Sequence, residues 1–236
     1  MDQSKKGFLP VLQGVKLIQT QCPTNAKDRE KMEVIPYASA IGSIMYATLC
    51  TRPDVCLAIS LAGRYQSNPG VDHWIEVKNI LKYLKRTKDV FLVYGGDKDL
   101  FVNGYVDASF DTDPDDSKSQ TGYVFILDDG AVSWCSSKLR VVAGSTCEAE
   151  YIAAPEAANQ GVWMKEFISD LGVMPSASGP IKIFCDNTGA IALVKESRFH
   201  KRTKHIKRRF NSIRDQGGRH RDLKNTHGSE CSRLVD

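Results

Sequence analysis

The hydrophobic period of this chain changes once, near Val90, and a chain with two periods cannot fold as one uniform helical or one uniform β architecture. Before that point, Trp74, Val77, Ile80, Leu81 and Leu84 recur at helical spacing. Lys78, Lys82, Lys85 and Arg86 lie on the other side, so the segment is a basic amphipathic helix. After it, residues 91–94, 101–106, 123–127 and 131–135 read as strands separated by Gly and Asp turns. The pair Asp129-Gly130 between two apolar runs is a hairpin signal.

Each half has further internal detail. Residues 7–19 read as two short strands around a Gly turn, followed by a polar stretch containing Pro23, Asn25, Lys27 and Asp28. Residues 37–50, rich in Ala, Ile and Met, form a buried helix. A second helix opens with Pro53 at a first-turn position and stops near Asn68-Pro69-Gly70. In the second half, a helix over residues 145–171 opens with Ser145 followed three residues later by Glu148, and Gly172 closes it. Residues 181–185 form another strand, and helices follow over 188–195 and 204–215. Strands, a helix, a strand and helices in that order give an α/β fold with a mixed sheet. The organisation expected is a mostly helical segment over 1–95, an α/β domain over 96–216 and a disordered basic tail over 217–236.

Composition adds constraints in three places. The 236 residues are 42% hydrophobic and 25% charged, enough to build a core in one or two domains. The net charge is only +4, yet the basic residues crowd together from Lys195 to Arg221, opposed there by Glu196 and Asp215. Such a one-sided cluster suits a phosphate backbone, and a solvated helix face explains it equally well. The seven cysteines are odd in number and never spaced C-x-x-C, against a disulfide framework or structural zinc. No signal-peptide pattern and no run of about 20 apolar residues occurs, so an intracellular, reduced protein with no membrane partner is expected.

Three acids stand where an acid is awkward. Asp107 ends one strand, Asp186 ends another, and Glu150 falls in the first turns of the helix between them. A strand-terminal Asp is often a turn former, and a carboxylate at a helix start is favoured by the macrodipole. If the two strands are neighbours and the helix packs on their sheet, however, the carboxylates converge at one sheet edge. Clusters made of oxygen alone bind Mg²⁺, and two such ions can drive phosphodiester cleavage.

The words around these acids are specific. Gly104-Tyr105-Val106-Asp107-Ala108-Ser109, Ser119-Gln120-Thr121-Gly122-Tyr123, Glu148-Ala149-Glu150-Tyr151-Ile152-Ala153-Ala154, Cys185-Asp186-Asn187-Thr188-Gly189-Ala190-Ile191 and Thr203-Lys204-His205-Ile206 resemble, in order and spacing, the ribonuclease H domain of copia-type retrotransposon Pol polyproteins. Upstream, Pro36-Tyr37-Ala38-Ser39-Ala40-Ile41-Gly42, Thr51-Arg52-Pro53-Asp54 and Leu81-Lys82-Tyr83-Leu84-Lys85-Arg86-Thr87 look like the thumb and connection at the end of the reverse transcriptase. The resemblance implies a ribonuclease H-like sheet over 96–216 and cleavage of the RNA strand of RNA–DNA hybrids. It also implies two Mg²⁺ or Mn²⁺ ions on Asp107, Glu150 and Asp186, and the remainder of a Pol polyprotein as context. Asn187, Lys204, His205, Arg208, Lys82 and Arg86 are the residues expected to touch nucleic acid.

The chain departs from that pattern in places. A fourth acid, expected late in an Ala-Asp-x-Leu-Thr-Lys-like segment, has no counterpart after Asp215, and Lys207 stands where some relatives carry Asp. The domain is therefore expected to be truncated at its C-terminal end, with activity weakened or lost. Pro155 falls inside the helix that carries Glu150. The paired-Asp motif of a polymerase is absent. The alternative is a non-catalytic remnant that binds nucleic acid through its basic helix. An integrase-type transesterase would need a well-placed Glu after Asp186, and Glu196 sits in a basic stretch. His200, His205, His220 and His227 with Cys231 are too irregularly spaced for a metal site.

Overall fold

The computed structural model describes residues 7–12, 14–95, 101–172 and 180–195. The chain divides into two compact units, residues 1–93 with 134–137 and residues 94–133 with 138–236.

The first unit is helical: α1 (Ala26–Glu33), α2 (Tyr37–Cys50), α3 (Cys56–Gly63) and α4 (Val71–Arg86). Its core joins Tyr37, Ile41 and Ile44 of α2 to Ile59 and Ala62 of α3 and Val77 and Ile80 of α4. The Tyr37 hydroxyl donates to the Ala62 carbonyl at 2.8 Å, so the one polar atom that this ring buries is satisfied. Pro53 opens a 3₁₀ turn, Pro53–Val55, directly ahead of α3.

The structure corrects two expectations here. The polar stretch after Pro23 contains α1, whose first turn is capped by Asn25 Oδ1 accepting from the Asp28 amide at 2.8 Å. With a single buried residue, Met32, it carries no apolar stripe for a sequence reading to find. Among the described residues of the segment 7–19 there is no strand. Gly14 does turn the chain, with φ +79, but the flanking backbone is spent elsewhere. The Gly7 amide donates to the Lys82 carbonyl, and the Leu17 carbonyl accepts from the Tyr65 hydroxyl. Pro10 has no amide to offer a ladder.

The second unit holds most of a four-stranded sheet of order β3-β2-β1-β4, residues 134–137 of β3 being counted with the first. The strands are β1 (Val102–Ser109), β2 (Gln120–Leu127), β3 (Gly130–Lys138) and β4 (Lys182–Phe184), with helices α5 (Thr146–Leu171) and α6 (Thr188–Lys195). β1 pairs antiparallel with β2, Tyr105 opposite Val124, and parallel with β4, Tyr105 opposite Phe184. The mixed α/β sheet is therefore present. Residues 91–94, expected as a strand, are not one. Phe91, Val93 and Tyr94 are exposed, and Gly95 at φ +125 bends the chain immediately afterwards. Alternation supplies a face, but a strand also needs a partner edge.

Alternation along β1 turns Val106 and Ala108 toward α5, where they meet Ala149, Ile152 and Ala153. Phe125 of β2 is fully buried against Met164 and Ile168. Gly104, directly opposite it, has no room for a side chain, because a Cβ there would lie 2.6 Å from the Phe125 ring. The small residues of α5 are what let the helix lie close to the strand that bears Asp107.

α5 runs 26 residues straight through Pro155 and ends where Gly172 takes the left-handed conformation, φ +63. An interior proline loses one ladder hydrogen bond and crowds the carbonyl one turn earlier. Pro155→Ala is expected to raise stability by about 1 to 3 kcal/mol, seen as a higher Tm in a thermal melt. An unchanged or lower Tm would mean that the proline has a packing role the helix needs.

Candidate metal centre

The site begins with the cap of α5. Ser145 Oγ accepts from the Glu148 amide at 3.1 Å, and Glu148 Oε2 accepts from the Gly144 amide at 2.9 Å. The first of the two nearby glutamates is thus committed to holding the helix start. Two residues on, Glu150 projects toward β1.

Glu150 is buried, and its Oε1 accepts from the Ala108 amide at 2.8 Å. That contact follows from the shortness of β4. Its paired residues reach Phe184, opposite Tyr105, so the β1 edge beyond Tyr105 has no strand beside it. A side-chain carboxylate takes up the amide instead. Carried two residues further, the same register sets Asp107 against Asp186. The structure places Glu150 between the other two acids, with a neighbour on β1 and another just past β4. Asp107 is within hydrogen-bonding reach of Glu150, and ligand atoms of Glu150, Cys185 and Asp186 lie within 4.8 Å of one another. Asp107 and Asp186 are exposed.

The electrostatics follow from that crowding. Burial pushes the Glu150 carboxyl up to about 7; the Ala108 amide opposes the shift, and the neighbouring Asp107 and Asp186 charges add to it. Burial likewise pushes the Cys185 thiol up to about 11, against the pull of the Asn187 amide and with the two carboxylates adding. The protonated thiol donates to Glu150 Oε2 at 3.7 Å. The charges of Asp107 and Asp186 both bear on Glu150, a repulsion that a divalent cation would relieve, and carboxylate oxygens suit Mg²⁺. Another acidic pair of this unit is spent differently. Between β1 and β2, Asp113 and Asp116 hold the ammonium of Lys138 at 2.6 and 2.8 Å.

The remaining expected site residues divide. Asn187 Oδ1 accepts from the Ala190 amide at 3.0 Å and so caps α6, which leaves its amide NH₂ as the free-facing half of the side chain's chemistry. Arg86 lies 3.8 Å over the Phe8 ring, a cation–π contact, and Lys82 is half-buried. Lys204, His205 and Arg208 lie outside the described residues. Sequence reading missed Cys185, although it sits beside Asp186 in the quoted motif. No spacing rule foretells a thiol donating to an acid that lies 35 residues earlier.

No helix among the described residues is long and apolar enough to cross a membrane. No protein-family model matches the chain. Among known proteins, it is 42% identical over 215 residues to the retrovirus-related Pol polyprotein from transposon TNT 1-94 of Nicotiana tabacum, an alignment covering 91% of this chain and 16% of that protein. It is 36% identical over 182 residues to the corresponding polyprotein from transposon RE2 of Arabidopsis thaliana, covering 76% of this chain and 12% of that one. It is also 39% identical over 133 residues to secreted RxLR effector protein 161 of Plasmopara viticola, covering 56% of this chain and 94% of that protein. The chain thus spans a small fraction of the Pol polyproteins it matches. The identity running through both of its units places the chain in the family of retrovirus-related Pol polyproteins from copia-type transposons.

Proposed function

We propose that the second unit is a ribonuclease H-type domain that hydrolyses the RNA strand of RNA–DNA hybrids with Mg²⁺ or Mn²⁺. The observation that carries this reading is that Glu150 of α5 stands within reach of Asp107 on β1 and of Asp186 just past β4, three stretches of chain that share no local reason to meet. Those residues would hold the cation, which when bound supplies Lewis acidity at the scissile phosphate and lowers the pKa of a water.

The chain's own residues do the positioning. The Ala108 amide fixes one oxygen of Glu150, so that carboxylate is oriented before any ligand arrives. Asn187, held by its cap to α6, presents its NH₂ beside Asp186, where a hybrid's sugar or phosphate oxygens would be met. The first unit would be the end of a reverse transcriptase. Its Lys82 and Arg86, with the basic run from Lys195 to Arg221, would bind the backbone of the hybrid through counterion release. Turnover is expected to be slow, since Lys207 stands where some relatives carry an acid.

That same departure favours a second reading, a hybrid-binding domain without catalysis. The test is a labelled RNA–DNA hybrid incubated with the purified chain and Mg²⁺. Slow cleavage confined to the RNA strand and stopped by a chelator supports the nuclease. Salt-sensitive binding with no cleavage at either cation supports the second reading. If neither cleavage nor binding occurs, both fall.

A further inference from the structure

The Mg²⁺ reading uses three carboxylates and leaves one group of the cluster without a task, the thiol of Cys185. Oxygen ligands suit Mg²⁺, whereas a thiol is a poor ligand for it and a strong one for softer ions once its proton leaves. The spacing of the group is informative. A tetrahedral ion with bonds of about 2.3 Å to thiolate sulfur and about 2.1 Å to carboxylate oxygen holds those two atoms about 3.6 Å apart. Cys185 Sγ and Glu150 Oε2 stand 3.7 Å apart, and one ligand atom from each of Glu150, Cys185 and Asp186 lies within 4.8 Å of the other two. Glu150 is buried and fixed by Ala108, Cys185 is half-buried, and Asp186 opens to solvent. The arrangement gives one fixed ligand, one half-buried ligand and one exposed ligand that leaves a way in.

We propose that Glu150, Cys185 and Asp186 form a binding site for one thiophilic divalent cation of the Zn²⁺ class. Binding replaces the Cys185 S–H bond with a metal–sulfur bond and releases that proton to solvent, with no change of oxidation state. Because the site takes two carboxylates that the Mg²⁺ reading also uses, the two ions exclude one another. The soft ion would occupy the centre in a form unsuited to phosphodiester cleavage. The placement of the site stands on geometry; its inhibitory effect rests on the nuclease reading.

The experiment titrates the purified full chain with Cd²⁺ and follows the ultraviolet thiolate-to-cadmium charge-transfer band. A saturable band is expected, of which one equivalent is lost in Cys185→Ser and kept in Cys147→Ser. Asp186→Asn, at an exposed position that spares the fold, is expected to weaken the Cys185-dependent binding about tenfold or more, since even a ligand's supporting partner is worth that much. Added Mg²⁺ should weaken it further. A band of unchanged amplitude in Cys185→Ser, or wild-type affinity in Asp186→Asn, overturns the proposal. A Cys185-dependent band in a chain that cuts no hybrid sinks the nuclease reading and leaves this site standing; cleavage without the band does the reverse.

Discussion

Asp107→Asn is expected to slow Mg²⁺-dependent hybrid cleavage on the order of 1,000-fold while leaving hybrid affinity and Tm nearly unchanged. The size follows from what the carboxylate is asked to do. A metal clamp on the reacting phosphate is worth several kcal/mol, and about 1.4 kcal/mol is a factor of ten in rate. The selectivity follows from placement. Asp107 is exposed at the open edge of β1, so an isosteric amide disturbs no core. Glu150 is a worse probe, because Glu150→Gln also alters the contact that ties α5 to Ala108. Asp186→Asn, at another exposed position, should reproduce the loss. Cleavage at the wild-type rate in either variant would remove these carboxylates from the chemistry.

The second large effect lies in the helical unit and concerns stability. Arg52 is buried to 9% exposure. Its guanidinium donates to both Asp54 oxygens at 2.9 and 2.7 Å and to the Thr87 carbonyl at 3.3 Å, while the Tyr83 hydroxyl donates to Asp54 at 2.8 Å. One side chain therefore joins the turn ahead of α3 to the last turn of α4. Arg52→Ala leaves Asp54 and a helix-end carbonyl without it, and a loss on the order of 2 to 4 kcal/mol is expected in urea unfolding. Asp54 keeps a third of its side chain in water, which holds the figure below that of a fully buried pair.

Acid should report the same network. Burial alone would raise the Asp54 carboxyl, but the hydrogen bonds from Arg52 and Tyr83 outweigh it and hold the group below its ordinary range. A depressed folded-state pKa contributes stability above the unfolded value, near 3.9. That contribution is lost as the pH falls through the lower, folded one. The wild type is expected to lose this part below about pH 4. Arg52→Ala should show a shallower acid limb over that window. Parallel limbs would mean that the pair contributes nothing to folding.

Much of this protein is local, and the local part can be read directly. Ser145 and Gly172 bracket α5 in sequence as they do in space, because a cap acts within one turn. The stripe of α4 and the hairpin around Asp129-Gly130 are likewise fixed by the spacing of neighbours. The three acids could be named from their neighbours too, Glu150 in the first turns of α5 and Asp186 just past β4, although β1 runs on through Asp107 to Ser109. Tertiary structure decided the rest. It settled that residues 7–19 spend their backbone on α4 and Tyr65, that β1 and β4 are parallel neighbours, and that a short β4 frees the Ala108 amide for Glu150. It also set a thiol 3.7 Å from that carboxylate. Periodicity states which face of an element is apolar. Which partner covers it, and which charges then share a low-dielectric edge, depends on contacts between residues far apart in the chain, where no spacing rule reaches.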